Sequence, residues 1–172
     1  VRTTDWWESK FGALFAVIYA TAILISISFY ELFAVTGFLL LALIPGACFV
    51  SIINDLTDIE ADKLVGKKNF FSQKSDQFGY FLIIICLLIG TIVCLFLSKV
   101  SLFLYLAAWL IFTSYSIPPI RLKNRGVLGV LADALGAYLF PQLFVIAVLS
   151  DWFDKDINFV WFTAVGIWSF CL

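Results

Sequence analysis

Long stretches without a single charged side chain constrain this chain more than any other feature. A helix that spans a bilayer needs about 20 apolar residues, because its backbone polar groups find no partner in lipid. Five stretches are about that long, although Asp133 interrupts the fifth, and a sixth stops at the chain end; they are 11–30, 32–54, 78–98, 100–120, 126–150 and 157–172. With 63% hydrophobic and 13% charged residues, the sequence excludes an ordinary soluble domain. It predicts an all-α, polytopic transmembrane helix bundle with about six spans.

The basic residues lie unevenly on the two sides of these stretches. If the N-terminus is cytoplasmic, nine basic residues lie in inner segments and only Lys99 and Lys155 lie in outer loops. This distribution agrees with the positive-inside rule. We therefore expect an integral membrane protein whose N-terminus and Asp-rich segment, residues 54–62, face the cytoplasm. We predict that the first stretch is a span rather than a signal peptide, with Trp6 and Trp7 as interfacial anchors before it.

An acidic run follows the second apolar stretch. Asp55, Asp58, Glu60 and Asp62 fall within eight residues. In a helix, Asp55, Asp58 and Asp62 project within about 60° of one another, Asn54 widens the arc to about 100°, and Glu60 points away. Such a face favours a cation, and oxygen ligands suit a hard ion such as Mg²⁺, which commonly bridges to phosphate oxygens. The alternative interpretation is a solvated helix cap or a charge cluster of the inner loop, paired with Lys63, Lys67 and Lys68.

A basic segment follows the fourth stretch. Pro118 and Pro119 end a helix there and present Arg121, Lys123 and Arg125 at the same membrane face as the acids. Alone, these residues are typical of topology signals or lipid head-group contacts. Together with the acidic face they predict a diphosphate site, in which carboxylates hold Mg²⁺ and basic side chains neutralise the remaining charge. A tail lying among apolar helices would make the ligand a prenyl diphosphate.

The available residue types restrict any chemistry. The chain has no histidine, which excludes histidine general bases and histidine-ligated metals. Asp133 is the only acid inside an apolar stretch, and its burial would cost about 2.5 to 3.5 kcal/mol, so it should face a cavity or a partner. We consider two roles for Asp133: binding or deprotonating an acceptor, and a structural hydrogen bond to a neighbouring helix.

These residues resemble the UbiA superfamily of intramembrane prenyltransferases. The first signature of that family, Asn-Asp-x-x-Asp-x-x-x-Asp, is matched in full by Asn54, Asp55, Asp58 and Asp62. Residues 115–123, with Gly126-Val-Leu-Gly129 and Ala134-Leu-Gly136 after them, are similar to the segment between the fourth and fifth helices of the family. The opening of the chain resembles family N-termini more weakly, through Arg2, Trp6, Trp7 and Lys10.

The resemblance implies a nine-helix bundle around a cavity, with two Asp-rich motifs. The second motif would follow the sixth helix, so we expect residues 1–172 to form a single membrane-embedded domain that is truncated at the C-terminus. The implied Mg²⁺ ligands are Asn54, Asp55, Asp58 and Asp62. The implied diphosphate contacts are Lys67, Arg121 and Lys123, and Lys10 and Tyr115 are further candidate substrate-binding residues. The candidate catalytic residues are Asp55, Asp58 and Asp133.

The implied activity is Mg²⁺-dependent transfer of a prenyl group from a prenyl diphosphate to a small or lipidic acceptor at the cytoplasmic membrane face. The expected partners are the prenyl diphosphate, an acceptor that the sequence does not identify, and membrane lipids, with no nucleic acid. One departure concerns residues 69–73, which read Asn-Phe-Phe-Ser-Gln where many members have an Arg-Pro-Leu-like run. This departure argues against the usual quinone-type acceptors.

Three alternatives stay open. The first is a non-catalytic lipid-binding or assembly subunit with a UbiA-like bundle. The second is a CDP-alcohol phosphotransferase, which would have glycine directly after its second aspartate, where this chain has Ile59. The third is an aspartate-based ion or proton transporter, which predicts several acids within the spans, where this chain has only Asp133.

Overall fold

A computed structural model describes residues 10–172, of which 84% are helical and none lies in a strand. Seven helices in this range are named here as α1 (Gly12–Leu24), α2 (Phe29–Thr57), α3 (Ile59–Leu64), α4 (Asp76–Leu97), α5 (Lys99–Ser116), α6 (Val127–Phe153) and α7 (Phe159–Cys171). Two 3₁₀ turns, Phe70–Gln73 and Leu122–Asn124, lie in the loops, and Ala134–Leu139 forms a π-helical segment within α6. The prediction of an all-α protein is confirmed. The predicted anchors Trp6 and Trp7, and Arg2, lie outside the described residues.

Four of the described helices, α2, α4, α5 and α6, are long and apolar enough to cross a membrane. This gives the chain the character of an integral membrane protein. Helices α1 and α7 have 13 residues each, about 20 Å at 1.5 Å per residue, which is less than the hydrocarbon core of a bilayer. Stretch 11–30 is not one helix, because the chain turns at Ser26, where φ is 57°. Of the six predicted spans, four therefore correspond to helices that are long enough to cross a bilayer. The nine-helix fold stays a prediction.

Serine and asparagine side chains begin most of the long helices. Ser28 and Glu31 form a reciprocal capping box at the start of α2, and Ser75 and Asn158 accept backbone hydrogen bonds at the starts of α4 and α7. Ser98 alone separates α4 from α5, and its hydroxyl accepts from the Ser101 amide at 3.0 Å. These caps satisfy amides that would otherwise lack partners at each helix start, so the chain reverses within few residues.

The helices pack mainly in sequence order, with α2 against α4, α4 against α5 and α5 against α6, while α1 lies against α6. Val35, Leu39, Phe144 and Leu149 are buried in the core. Many large apolar side chains point outward instead, above all on α4, as expected for a surface in contact with lipid.

The polar residues that the sequence singles out lie at one end of the bundle. Helices α2 and α5 finish there, and α1, α4 and α6 begin there. We call this region the polar end and define it by Lys10, residues 54–62, Asn69, residues 115–123 and Asp133. The other end holds the turns at Ser26, Ser98 and Asp154.

Candidate functional site

Asp58 occupies the centre of the polar end. It is the C-cap of α2, and its Oδ1 accepts from Arg121 Nη2 at 2.8 Å and from Lys123 Nζ at 2.7 Å. Both cations also reach the last turn of α2, where Arg121 donates to the Thr57 carbonyl at 3.3 Å and Lys123 to Thr57 Oγ1 at 3.3 Å. Cations are favoured at this position because the C-terminus of a helix carries partial negative charge. The acidic and basic segments of the sequence therefore meet directly at the polar end.

The loop between α5 and α6 gives Arg121 its position. Arg121 has φ 38° and ψ 61°, a left-handed conformation that is uncommon for a residue other than glycine. Its Nε is buried and has no hydrogen-bond partner. Arg125, the third base of the segment, is exposed and donates to the Pro119 carbonyl at 3.1 Å. Only Arg121 and Lys123 of this segment contact Asp58.

Asn54 and the end of α5 form a second contact across the polar end. The buried Ser116 hydroxyl donates to Asn54 Oδ1. Tyr115, the candidate substrate-binding residue beside Ser116, is half-buried, and its ring lies edge-on to Phe112 at 6.4 Å. The predicted residues Asn54 and Tyr115 therefore both lie at the polar end.

Asn69 connects the remaining two acids, and sequence reasoning missed it as a site residue. Asp55 and Asp62 are each only 7% exposed. The side-chain nitrogen of Asn69, Nδ2, donates to the backbone carbonyl of Asp55 at 2.7 Å and to Asp62 Oδ2 at 2.9 Å. Its Oδ1 accepts from the Phe71 amide at 2.9 Å and so caps the 3₁₀ turn. No sequence pattern indicated this role, because it depends on the path of the loop after α3.

The lysines after the acidic run do not join the site. Lys63, Lys67 and Lys68 are exposed, and none of them pairs with an acid in the described part of the chain. The Lys67 backbone amide donates to the Asp62 carbonyl at 2.8 Å. The alternative of a charge cluster paired with these lysines is not the arrangement found among residues 10–172. A Lys67 contact with diphosphate stays a prediction.

Lys10 and Asp133 form the outer part of the polar end. Their side chains pair at 3.5 Å, and Lys10 Nζ also lies 5.8 Å from the centre of the Tyr138 ring. The Asp133 side chain is 41% exposed, so it is less buried than a mid-membrane acid would be. The π-helical segment begins directly after Asp133, and such segments are frequent at functional sites.

The arrangement of the acids bears on whether they could share a metal ion. Among residues 10–172, no group of three or more Asp, Glu, Cys or His side chains is arranged to hold a metal ion. Asp58 faces two cations, while Asp55 and Asp62 are buried. Buried carboxylates fit Mg²⁺ in chemical type, since this ion commonly takes one or two carboxylates and completes its shell with phosphate and water. The described acids therefore match Mg²⁺ in ligand type but do not form a three-carboxylate cage, and a Mg²⁺ site at the polar end stays a prediction.

An apolar cavity lies next to the polar end. Its empty space is about 660 Å³, including its open mouth, and it is lined from α1, α2, α5 and α6. The lining residues Val50 and Phe112 lie one helical turn before Asn54 and Ser116, and Gly136 lies one turn after Asp133. A Cβ at Gly136 would come within 2.9 Å of the Phe112 ring, so this glycine lets α5 and α6 approach there. A charged head and an apolar tail could therefore lie side by side.

Comparison of the chain with protein-family models, with curated proteins and with solved structures finds no match. The class that the fold defines is an all-helical membrane protein. Its distinguishing feature is a cluster of acidic and basic side chains beside an apolar cavity.

Proposed function

We propose that this protein is a prenyltransferase of the UbiA type, which transfers a prenyl group from a prenyl diphosphate to a small or lipidic acceptor at the membrane face. The proposal rests on the family resemblance of residues 54–62 and 115–123 and on the chemistry of the polar end. It includes the expectations that this end faces the cytoplasm and that the complete family bundle has nine helices.

The observation that carries the proposal is the position of Arg121 and Lys123. These cations come from a segment more than 60 residues away from Asp58 in sequence, yet both contact it. The cavity begins at Val50, about two helical turns before Asp58, and at Phe112, one turn before the Ser116 that contacts Asn54. A diphosphate needs several positive charges, and a prenyl tail needs an apolar channel within reach of them. The polar end and the cavity supply both.

Each group has a proposed role at the diphosphate. Arg121 and Lys123 would move from the Asp58 carboxylate to phosphate oxygens, and Arg121 Nε, which has no partner, would donate a further hydrogen bond. Asn54, Asp55, Asp58 and Asp62 form the proposed Mg²⁺-binding set, and the ion would supply additional positive charge to the leaving group. Donors that are already in place stabilise charge as it develops, without a large reorganisation.

The proposed reaction breaks the bond between C1 of the prenyl chain and the ester oxygen that joins it to the diphosphate. The electron pair leaves with the diphosphate, where Arg121 and Lys123 stabilise it. The acceptor then donates an electron pair to C1 and loses a proton. Asp133 is the proposed base for that proton, because its carboxylate is partly exposed at the polar end beside Lys10. The apolar wall of the cavity would keep water away from the carbocation.

The test is the affinity of the full chain, in lipid nanodiscs, for radiolabelled geranylgeranyl diphosphate, with Mg²⁺ or with EDTA. We expect Mg²⁺ to tighten binding and Lys123→Gln to weaken it by about 10- to 100-fold, since a charged hydrogen bond contributes about 1.5 to 3 kcal/mol. The matched control is Lys99→Gln, because Lys99 is an exposed lysine at the other end of α5. Equal affinities for the two variants would contradict the proposal.

One observation favours the second candidate function, a non-catalytic lipid-binding or assembly subunit. Asp58 is already neutralised by two cations, and no three acids of the described chain are arranged to hold a metal. Such a subunit would bind geranylgeraniol as tightly as geranylgeranyl diphosphate and would not respond to EDTA. The same nanodisc assay, repeated with radiolabelled geranylgeraniol, separates the two functions.

A further inference from the structure

Three large apolar side chains are exposed in the segment between α2 and α4, outside the helices that are long enough to span a membrane. Leu64 ends α3 and Val65 follows it, and they are 88% and 76% exposed. Phe70, in the next 3₁₀ turn, is 52% exposed. Exposure of such side chains to water is unfavourable, and neighbouring exposed apolar residues are typical of a contact surface. The segment therefore calls for a contact other than water.

Hydrogen bonds of the backbone define how this segment turns after α3. Gly66 has φ 69°, and its amide donates to the Lys63 carbonyl at 3.2 Å. The Lys67 amide donates to the Asp62 carbonyl at 2.8 Å. These two bonds and the left-handed glycine form a Schellman motif, a common end of a helix. The exposed apolar pair is therefore presented by a defined turn.

Phe70 extends the lipid-facing surface of α4. Its ring lies edge-on to the ring of Phe71, with centres 5.1 Å apart. Phe71 is buried and lies 6.4 Å from the ring of Phe78, in the first turn of α4. Phe78 and Phe81 are exposed on that helix. Because the segment joins the ends of two membrane-crossing helices, we place Phe70 at the depth of the lipid head groups.

The lysines of this segment make its surface positive as well as apolar. Four exposed lysines occur between residues 59 and 76, against two exposed acids. Lys68 and Lys74 are among them, and neither pairs with an acid in the described chain. Lys74 Nζ lies 5.8 Å from the centre of the Phe70 ring. A cation and an apolar ring therefore lie side by side, as expected where lipid head groups meet acyl chains.

We infer that this segment is a binding surface for anionic phospholipids of the surrounding bilayer. We call it the loop surface and define it by Leu64, Val65, Lys68, Phe70 and Lys74. The apolar side chains enter the head-group region, and the lysines contact the negatively charged head groups, so the two contributions add. The bilayer is the occupant because the surface is positive and continues the lipid-facing side of α4. This inference goes beyond the proposed function and does not depend on it.

The test is hydrogen–deuterium exchange of the full chain, with one copy in each nanodisc. The discs contain either dioleoylphosphatidylglycerol or dioleoylphosphatidylcholine, which share acyl chains and differ in head-group charge. We expect peptides that cover residues 64–74 to exchange about 5- to 30-fold more slowly in the anionic discs, the range for attraction of one or two lysines to anionic lipid. Lys68→Gln/Lys74→Gln should bring the two rates close together. Leu64→Ser/Val65→Ser should speed exchange in both kinds of disc.

The matched control is Lys99→Gln/Lys155→Gln, which removes two exposed lysines from the other end of the bundle and should keep the wild-type difference. Circular dichroism verifies folding, and the lysine variants decide alone if Leu64→Ser/Val65→Ser does not fold. Equal exchange in the two kinds of disc, or a difference that survives Lys68→Gln/Lys74→Gln, would overturn the inference.

Two other occupants of the loop surface would show themselves in the same assay. Protection that requires two copies in one disc would make the surface an interface between copies of this chain. Protection that requires geranylgeranyl diphosphate would make it a cover of the polar end. Either result would overturn the inference. The main comparison contains neither prenyl diphosphate nor Mg²⁺, so its outcome is independent of the diphosphate-binding assay.

Discussion

At the scale of single residues, Asn69 organises the acids of the polar end. One amide group contacts the backbone of Asp55, the carboxylate of Asp62 and the backbone of Phe71. A buried carboxylate requires donors, because its desolvation is costly. Asn69 supplies one such donor to Asp62 and at the same time fixes the loop after α3. The residue therefore links the position of the acids to the path of the loop.

Asn69→Ala should destabilise the folded chain by about 1 to 3 kcal/mol, because buried polar groups lose partners. Asn69→Asp should be worse at neutral pH, since it places a second carboxylate beside Asp62. The measurement is chemical or thermal unfolding in detergent. The control is Ser72→Ala, whose exposed hydroxyl makes one bond to the Asn69 carbonyl and should matter much less. An Asn69→Ala variant as stable as Ser72→Ala would show that Asn69 does not hold the acids.

At the scale of elements, the start of α6 supports the loop that carries the cations. Gly126 is the N-cap directly before the helix and has φ 56°, a conformation that favours glycine. A Cβ at Gly129 would lie 2.8 Å from the Leu122 carbonyl oxygen and 3.1 Å from Lys123 Cα. These are backbone atoms and cannot rotate away. The glycine therefore lets the loop lie directly on α6 and keeps Lys123 at Asp58.

Gly129→Ala should displace this loop and weaken geranylgeranyl diphosphate binding. Overpacking of this kind costs about 1 to 3 kcal/mol, equivalent to about 5- to 100-fold in affinity if the loop yields rather than the helix. Binding is measured in nanodiscs, with circular dichroism to confirm that helix content is unchanged. Gly37→Ala is the control, because Gly37 is an exposed helical glycine with nothing within 4 Å of an added Cβ. Equal binding by both variants would argue against a supporting role of Gly129.

At the scale of the whole molecule, apolar stretches predicted the helices better than they predicted the spans. Stretches 32–54, 78–98, 100–120 and 126–150 correspond to α2, α4, α5 and α6. Stretch 11–30 was predicted as one span, but the chain turns at Ser26, and hydrophobicity alone carries no signal for a turn in an uncharged run. The π-helical segment after Asp133 was likewise not predicted from the apolar stretch that contains it.

The sequence predicted the parts of the candidate site whose position depends on a helix end, such as the segment after Pro118 and Pro119. The meeting of Asp58 with Arg121 and Lys123 followed from placing both segments at one membrane face. Asn69 and the pairing of Lys10 with Asp133 were not predictable, because they depend on how loops and distant helices pack. The orientation of three acids on one helical face did not by itself bring them together, since the chain bends at Asp58 between α2 and α3.

The most direct test of the central claim asks whether one ligand occupies both the polar end and the cavity. A geranylgeranyl diphosphate analogue with a diazirine midway along its chain is photo-crosslinked to the full chain in nanodiscs, and the labelled peptides are sequenced. We predict label on the cavity-lining parts of α5 and α6, around Phe112 and Gly136, that is lost with excess geranylgeranyl diphosphate and in Lys123→Gln. Label on the exposed side of α4, such as Phe81, or label that resists competition, would contradict the account.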